Sequence, residues 1–554
     1  MRKKKNIVQL NYSASGISCL LRHCAEQLFS QAGIRDCDRL LNDLVCTPEY
    51  LSFCKNHPEI KKNVYTYVPC EDTIGLLYQS LCDLNSRKSS GSYYTPAAVA
   101  SRLISIHLPE LSPSQTFFDP SCGTGIFLLQ LPDTLPLKNL YGNDLNPLCI
   151  TLTRINLALK YRITSEEDLA VLYRNFTVSD FLSAENQNPL PVPDAGFDII
   201  LGNPPWGASL TEEQKTSYRK QFSCTTRQGT EIFDLFIEQS LPLLSEHGFV
   251  SFVLPEALLG VKMHQPVRNL LFTSCSAYSV EYLGDVFRNV YCPSIILTLK
   301  KEKKGSFYRG TTVYTKERSY TIRSDRREKG TYLSFSLSDD EYALLDQIMS
   351  TPDCTTLKGQ ADFALGIVTG NNAALLSEYP GEGLEPIIRG TDISKYHIDS
   401  FSGYIRFRPE SFQQTAPEHL YRAKEKLFYR FINKQLIFAY DNTGLLSLNS
   451  CNIVIPRIEG LSVKYVMAIL NSSVAQFIFE KKFASVKVLR SHLEEIPIPL
   501  AENETQEHIV TLADILMNAD KESQEYRTTF LTLDKAIAQL FHLNEPEYHA
   551  LSKS

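Results

Sequence analysis

The side chains best suited to chemistry lie in the sequence Asn203-Pro204-Pro205-Trp206. It follows Phe197–Leu201, an apolar run that is typical of a buried strand. Both prolines have fixed φ angles, so the loop is stiff. The Asn203 side-chain carbonyl and a proline backbone carbonyl could accept both hydrogens of one planar amino group, against which the Trp206 ring could stack. Taken alone, the stretch could equally be a strand end with a Pro-Pro turn.

Three more polar segments follow predicted strands. Gly123 and Gly125 would let the backbone approach a ligand closely, although a plain turn is the alternative interpretation. Asp144 lies about 20 residues further on, where a carboxylate can accept hydrogen bonds from both hydroxyls of a ribose or can cap a helix. Asp180 could accept a hydrogen bond from an adenine amino group while Phe181 packs on the purine ring.

Thr95 and Pro96 begin a predicted helix. Thr95 is a plausible N-cap, and Pro96 fits the first helical position. The alternative interpretation is that Thr95 and the amides of the preceding loop hold a ligand.

The segments that position these residues alternate between strand and helix from Thr116 onward. The pattern predicts an α/β fold with a mostly parallel sheet covered on both faces. In such sheets ligands bind outside the carboxyl ends of the strands, and each motif lies at such an end. The apolar runs that predict strands are Thr116–Asp119, Leu140–Asp144, Phe176–Ser179, Phe197–Leu201, Gly248–Leu254, Ser279–Gly284 and Ser294–Lys300.

Composition indicates ordinary globular material, because 43% of the 554 residues are hydrophobic and 21% are charged. The net charge of -6 means that any nucleic-acid contact must use a local basic surface. The 14 cysteines form no CxxC pair, so neither a metal site nor a disulfide framework is indicated. No stretch approaches the roughly 20 apolar residues of a membrane span, and we expect a cytoplasmic protein without membrane contact.

Together these motifs resemble those of DNA adenine-N6 methyltransferases of the gamma class, which are TaqI-like. They also resemble the modification parts of type I and type IIG restriction systems. The residues that carry the resemblance are Gly91-Ser92-Tyr93-Tyr94-Thr95-Pro96, Asp119-Pro120-Ser121-Cys122-Gly123-Thr124-Gly125, Asp144, Asp180-Phe181 and Asn203-Pro204-Pro205-Trp206.

The resemblance implies a Rossmann-like methyltransferase domain that uses S-adenosylmethionine, requires no metal and acts on double-stranded DNA. In the family's later motif, Phe287 matches a phenylalanine that contacts the flipped target adenine. Trp206 replaces the commoner tyrosine and keeps the stacking face. The residues that the resemblance places around the cofactor are Thr95, Pro96, Asp119, Pro120, Gly123, Gly125, Asp144, Asp180 and Phe181.

The downstream half resembles the α+β target-recognition domains of the same family. The segments concerned are Gly366–Asn372, Ile388–Ile393, Val463–Ser472 and Val488–Pro499. Seven cations between Tyr404 and Tyr440 fit phosphate contacts or an ordinary protein surface. The predicted organisation is a helical segment at 1–90, a catalytic domain at 91–302, a basic linker at 303–340, a recognition domain at 341–502 and terminal helices at 503–554.

Three alternatives stay open at this point. An Asn-Pro-Pro-aromatic sequence could hold a protein glutamine or an RNA guanine, although the long downstream domain favours DNA. A non-catalytic DNA-binding specificity subunit would be expected to lack part of the motif set. The sequence shows no nuclease constellation, so a methylase that acts alone or with a separately encoded restriction endonuclease is favoured over a fused restriction-modification enzyme.

Overall fold

The computed structural model describes residues 13–35, 37–81, 94–183, 190–226, 229–287, 292–302, 306–326, 332–483 and 485–551. The chain divides into two compact units, residues 1–336 and 337–554. The five domain boundaries expected from the sequence stay predictions. The helices of the first unit are Ala14–Ala32, Asp38–Leu44, Thr47–Asn56, Thr73–Leu81, Ala97–Ser105, Ile126–Leu129, Pro147–Tyr161, Glu166–Asn175, Glu212–Gln221, Ile232–Leu243 and Gln265–Ser274.

The first unit is built on one large sheet. Among the described residues it has nine strands in the order β3-β2-β1-β4-β5-β7-β6-β8-β9. The strands are β1 (Phe117–Asp119), β2 (Leu140–Asp144), β3 (Phe176–Val178), β4 (Phe197–Gly202), β5 (Leu244–Pro255), β6 (Cys275–Gly284), β7 (Ser294–Lys301), β8 (Thr312–Tyr314) and β9 (Ser319–Thr321).

The sheet is parallel from β3 to β5 and mixed beyond it. β7 runs antiparallel to both β5 and β6. The connection between Gly284 and Ser294 is shorter than the dozen or so residues that a parallel crossover needs, so an antiparallel pairing is expected. The predicted α/β fold is confirmed, with a sheet that is mixed rather than mostly parallel.

Two strands lie within residues 303–340, where the sequence predicted a linker. β8 pairs in parallel with β6 through Val280 and Val313, and β9 then pairs antiparallel with β8. Val313 is fully buried. The short Thr-Val-Tyr strand has the β-branched and aromatic residues that favour sheet, a signal that the surrounding basic residues obscured.

The amino-terminal helices follow from local signals. Ser13 caps the helix Ala14–Ala32 by accepting a hydrogen bond from the Gly16 amide. Gly33 ends it in the left-handed conformation, with φ of 71°. Apolar residues at helical spacing form its buried face: Leu20, Leu21, Cys24, Leu28 and Phe29.

The second unit combines small sheets with helices, which confirms the α+β prediction. The described residues form two four-stranded sheets, β11-β20-β17-β18 and β12-β16-β13-β19, and the two-stranded pairs β10-β21 and β14-β15. Its strands are β10 (Cys354–Thr355), β11 (Ala361–Ala364), β12 (Leu376–Ser377), β13 (Glu385–Ile388), β14 (Ile393–Ser394), β15 (His397–Ile398), β16 (Gly403–Ile405), β17 (Lys426–Arg430), β18 (Phe438–Asp441), β19 (Leu446–Ser447), β20 (Cys451–Pro456) and β21 (Ile498–Pro499). Its helices are Asp339–Met349, Asn372–Leu375, Glu418–Tyr421, Val463–Asn471, Ser473–Ile478, Arg490–Leu493, Asn503–Asn518, Gln524–Leu540 and Glu545–Leu551.

Several cations of the 404–440 region hold the second unit together. Lys426 is fully buried and its Nζ lies 2.6 Å from the Asp441 carboxylate. Arg422 donates to the Glu385 carboxylate at 2.8 Å. Arg430 donates to the Ile393 carbonyl at 2.6 Å. These three side chains therefore have structural partners, while Arg406, Arg408, Lys424 and Lys434 are exposed.

Replacing Lys426 by methionine should destabilise the second unit. The change leaves the buried Asp441 carboxylate without its cation, which costs about 3 kcal/mol or more of unfolding free energy. Hydrogen exchange of peptides covering β17 and β18 should accelerate accordingly. Lys424→Met, at an exposed neighbouring position, should leave the exchange unchanged, and equal effects of the two variants would contradict the assignment.

Candidate active site

Four strand ends bring the predicted motifs together. β3, β2, β1 and β4 are neighbours in the sheet and run in parallel. Asp119 is the last residue of β1 and Asp144 is the last residue of β2. Asp180 follows β3, and Asn203 directly follows β4. The carboxyl ends of parallel strands share one edge, so these polar residues lie along a single edge of the sheet.

The Asn203 side chain is oriented by Thr95. Its Nδ2 donates to the Thr95 hydroxyl at 3.0 Å, and Thr95 is buried. Nδ2 is therefore the donor end of this amide, and Oδ1 is its acceptor end. The expected capping role of Thr95 is wrong, since the helix begins at Ala97 without a side-chain cap. The Thr95 hydroxyl accepts a hydrogen bond from Asn203, which is distant in the sequence, instead of capping the helix.

The rings of Trp206 and Phe287 meet edge to face. Their ring centroids are 4.9 Å apart at an interplanar angle of 81°, and both rings are buried. Pro204 is buried and Pro205 is half-buried, as expected for a stiff loop held against the protein. At this separation a nucleobase can enter between the two rings only if they move apart.

Asp144 is held by one backbone amide of the glycine-containing loop and by one of the loop that follows β2. Its carboxylate accepts from the amide of Gly123 at 2.9 Å and from the amide of Asn146 at 2.8 Å. Gly123 and Gly125 have φ of 55° and 87°, values that L side chains rarely adopt. Leaving aside its two chain neighbours, no described residue has a heavy atom within 4 Å of where a Cβ on Gly123 would be. Burial raises the pKa of Asp144 above its ordinary value.

Asp119 is a fully buried carboxyl group. Its Oδ1 accepts from the Ser121 amide at 3.1 Å, while Oδ2 has no hydrogen-bond partner among the residues that the structure describes. Burial raises the pKa of Asp119 well above its ordinary value, and the nearby charge of Asp144 raises it further. A buried carboxylate in this position is stabilised by a cationic or hydrogen-bond-donating ligand.

Asp180 and Phe181 differ in their surroundings. Asp180 accepts from the Leu182 amide at 3.0 Å. The Phe181 ring lies in the core, with centroids 5.0 Å from Phe236 and 5.9 Å from Phe118. A purine contact by Phe181 therefore stays a prediction.

The two predicted cofactor-site prolines lie at the ends of elements. Pro120 is buried directly after β1, and Pro96 directly precedes the helix Ala97–Ser105.

Asn143 joins the ends of three strands, a role that the sequence analysis missed. Its Nδ2 donates to the carbonyls of Pro120 at 3.3 Å and Ser179 at 3.0 Å. Its Oδ1 accepts from the Ser179 hydroxyl at 2.7 Å. An asparagine within the apolar run Leu140–Asp144 was visible in the sequence, but only the strand order shows that it lies between the ends of β1 and β3.

Asp72 is a second residue that sequence reasoning missed. It is buried and accepts from Tyr94, Thr124 and Asn156, which belong to three separate segments. An aspartate directly before the predicted helix containing Ile74 and Leu77 was a signal for a helix cap. Gly91, Ser92 and Tyr93, which belong to the motif before Thr95, lie outside the described residues.

No group of three or more metal-ligating side chains occurs in the part of the chain that the structure describes. In the same part, no helix is long and apolar enough to cross a membrane.

Family comparisons agree with this arrangement of two units. Residues 70–338 match the N-6 DNA methylase family. Residues 385–498 match the TaqI-like C-terminal specificity domain. The first match covers the sheet edge and its motifs, and the second covers most strands of the second unit's small sheets, from β13 onward.

Similar proteins belong to restriction-modification systems. The chain is 26% identical over 321 residues to the type II methyltransferase M.VspI of Vibrio sp. (strain 343), covering 58% of this chain and 74% of that protein. It is 26% identical over 251 residues to the type II restriction enzyme and methyltransferase RM.Eco57I of Escherichia coli, covering 42% of this chain but only 23% of that protein.

Solved structures share the fold at low sequence identity. The type IIL restriction-modification enzyme MmeI in complex with DNA has a TM-score of 0.56 at 11% identity, covering 98% of this chain and 92% of that chain. The DrdV–DNA complex has a TM-score of 0.55 at 12% identity, covering 91% and 66%. The two family matches and the named relatives favour a DNA methyltransferase over a protein or RNA methyltransferase and over a non-catalytic specificity subunit. Residues 70–338 therefore form a domain similar to the N-6 DNA methylase family, and the chain is a restriction-modification type DNA methyltransferase with a TaqI-like specificity domain.

Proposed function

We propose that this chain transfers a methyl group from S-adenosylmethionine to N6 of an adenine that has been flipped out of double-stranded DNA. The observation that carries the proposal is the orientation of Asn203. Asn203 follows β4 directly, its Nδ2 donates to Thr95, and Trp206 comes three residues later in the chain. A fixed carbonyl acceptor beside an aromatic face suits a planar base with an exocyclic amino group.

The residues at the sheet edge fit S-adenosylmethionine. Asp144 uses two backbone amides, and an ionised carboxylate offers roughly four acceptor positions, so it has capacity for ribose hydroxyls. The unpartnered Oδ2 of Asp119 would accept from the ammonium of the amino-acid part. The open space at Gly123 would let the loop backbone approach the ligand. Thr95, Pro96, Pro120, Gly125, Asp180 and Phe181 would complete the surroundings.

The proposed mechanism depends on two acceptors for one amino group. The lone pair of the adenine N6 is delocalised into the ring, which makes this nitrogen a poor nucleophile. Acceptance of both its hydrogens by Asn203 Oδ1 and the Pro204 carbonyl would localise that pair. The same two oxygens would stabilise the positive charge that develops on nitrogen during transfer. When bound, S-adenosylmethionine supplies an electrophilic methyl group on its sulfonium sulfur.

No side chain needs to remove a proton before the attack. The methylated nitrogen is an acidic ammonium that can release its proton afterwards, so a neighbouring carboxylate is not required as a base. Extrusion of the adenine costs unstacking and unpairing energy, which stacking on Trp206 and Phe287 would offset. Trp206 and Phe287 would then separate to receive the base.

The specificity domain would contact the DNA and determine the methylated sequence, and a separately encoded restriction endonuclease could share that sequence. Single-molecule sequencing of DNA from cells expressing the chain tests the whole proposal. We expect N6-methyladenine in one recurrent sequence context. Methylation confined to cytosine, or no methylation by a folded protein supplied with S-adenosylmethionine, would refute it.

Asn203→Ala should reduce methyl transfer by on the order of a hundredfold or more, the loss typical of removing one preorganised transition-state group. Binding of S-adenosylhomocysteine should stay within about threefold, because Asn203 is assigned to the base and not to the cofactor. Incorporation of radioactive methyl groups into DNA measures the first quantity and calorimetry the second. Glu213→Gln, at an exposed position, is the control, and normal turnover by Asn203→Ala would rule out its assigned role.

Trp206→Ala should lower kcat/KM by about tenfold or more, since stacking of one base on an aromatic side chain contributes about 1–3 kcal/mol. Trp206→Phe keeps an aromatic face and should stay within about threefold of the original enzyme. Steady-state kinetics on a duplex containing the identified site separates the two variants. Equal losses in both would show that the indole contributes something other than stacking.

Cofactor affinity should fall as the pH is lowered through the raised pKa of Asp144. Above that pKa the carboxylate accepts from both ribose hydroxyls, and below it a proton occupies one of its oxygens. Because burial raises this pKa, the decline should begin at a higher pH than for an exposed aspartate.

Asp144→Asn tests this pH dependence. The variant should bind S-adenosylhomocysteine about tenfold more weakly at pH 8, with a flatter pH profile, because a hydrogen bond to a charged group is lost. Calorimetry between pH 5 and pH 8 measures both quantities. An unchanged affinity and pH profile would exclude Asp144 from the cofactor site.

A further inference from the structure

We infer that Asp72 is a positioning residue that couples the cofactor loop Gly123–Gly125 to the catalytic Asn203. The inference rests on the proposed function, because it connects the loop assigned to the cofactor with the side chain assigned to the target base. Asp72 lies before the helix Thr73–Leu81, outside the motifs that identify the site. Its carboxylate accepts hydrogen bonds from Thr124 in the cofactor loop and from Tyr94, the residue before Thr95.

The Asp72 carboxylate is a buried point of convergence. Its Oδ1 accepts from the Gly75 amide at 2.8 Å and from Asn156 Nδ2 at 2.7 Å. Its Oδ2 accepts from the hydroxyls of Tyr94, at 3.1 Å, and Thr124. Four donors around one buried carboxylate satisfy its acceptor capacity and hold it in a single orientation.

One side of this network is the cofactor loop. Thr124 lies between Gly123 and Gly125, and its hydroxyl donates to Asp72. Asn156 reinforces the same residue, because its Nδ2 also donates to the Thr124 carbonyl at 2.8 Å. Both the side chain and the backbone of Thr124 are therefore tied to the Asp72 cluster. A ligand that shifts this loop must also shift the partners of the Asp72 carboxylate.

The other side of the network leads to the catalytic amide. Tyr94 donates to the same Oδ2 that receives the Thr124 hydroxyl. Thr95 is the next residue in the chain, and its hydroxyl accepts from Asn203 Nδ2 at 3.0 Å. The path from the cofactor loop to the catalytic amide therefore comprises three hydrogen bonds and one peptide bond.

Helix capping alone does not explain Asp72. Capping needs one acceptor for the Gly75 amide, which an exposed serine, threonine or asparagine provides equally well. Asp72 is instead 2% exposed. A Cβ on Gly75 would lie 2.1 Å from Asp72 Oδ2, so glycine at this position leaves room for the carboxylate. The second oxygen, Oδ2, accepts from the hydroxyls of Tyr94 and Thr124, while the helix amide donates to Oδ1.

Tyr94→Phe cuts the path while leaving Asp72, its cap and the cofactor loop in place. Tyr161→Phe is the matched control, because it removes a half-buried hydroxyl that donates to the Leu135 carbonyl at 3.0 Å, outside the network. The first measurement is hydrogen exchange of peptides covering Asn203–Gly207 in the ligand-free full-length protein. Tyr94→Phe should increase their exchange rate about tenfold, and Tyr161→Phe should leave it unchanged.

The second measurement uses the only tryptophan of the chain, Trp206, which lies in the catalytic loop. Its emission should change when the protein is titrated with S-adenosylhomocysteine. Tyr94→Phe should keep the Kd within about threefold, reduce the emission change by at least half and lower kcat about tenfold, with little change in KM for DNA. Asp72→Asn keeps the cap and should show the same pattern more weakly.

The results of these measurements distinguish a failure of the proposed coupling from a failure of the proposed cofactor. If the exchange of Asn203–Gly207 is the same in Tyr94→Phe and Tyr161→Phe, the coupling is overturned whatever the cofactor proves to be. A lower melting temperature with unchanged kcat and an unchanged emission response would reduce Tyr94 to a structural role and overturn it as well. If the exchange responds as expected but no protein binds S-adenosylhomocysteine, the coupling stands and the proposed cofactor is wrong.

Discussion

The hydrogen bond between Asn203 Nδ2 and the Thr95 hydroxyl is the interaction on which the rest of the site depends. An asparagine amide has a donor end and an acceptor end of nearly equal size, and only its partners decide which end faces a substrate. In the structure Thr95 accepts from the donor end, and Oδ1 is the opposite, acceptor end of the amide. The stiff Pro204-Pro205 backbone, the strand β4 and the helix that starts at Ala97 keep these two partners in register.

Buried carboxyl groups dominate the electrostatics of the sheet edge. Asp72, Asp119 and Asp144 are all removed from water, and burial raises the pKa of each of them. A ligand that carries a positive charge and hydroxyl groups would replace the lost hydration of Asp119 and Asp144. The hydration of Asp72 is replaced by four protein donors, which fits a residue that positions other side chains and does not bind a ligand itself.

The sequence could predict those parts of the site that local order determines. Asp144 and Asn203 follow recognisable strands, and parallel strand ends share one edge, so their proximity could be derived before any coordinates. The partner of Thr95 could not be derived, because Asn203 is 108 residues away and a capping role was locally more plausible. Asp72 was missed for the same reason, since its partners lie 22, 52 and 84 residues away. Lys426 was grouped with exposed cations because its pairing with Asp441 depends on the antiparallel register of β17 and β18.

The edge-to-face contact of Trp206 with Phe287 has a consequence for the size of the substrate. While the two rings touch, each shields part of the other from water, so parting them exposes apolar surface. An incoming heterocycle must restore that shielding on both sides. If the base enters between the rings as proposed, a two-ring base covers more of each aromatic face than a one-ring base does, so the contact area alone would favour a purine over a pyrimidine.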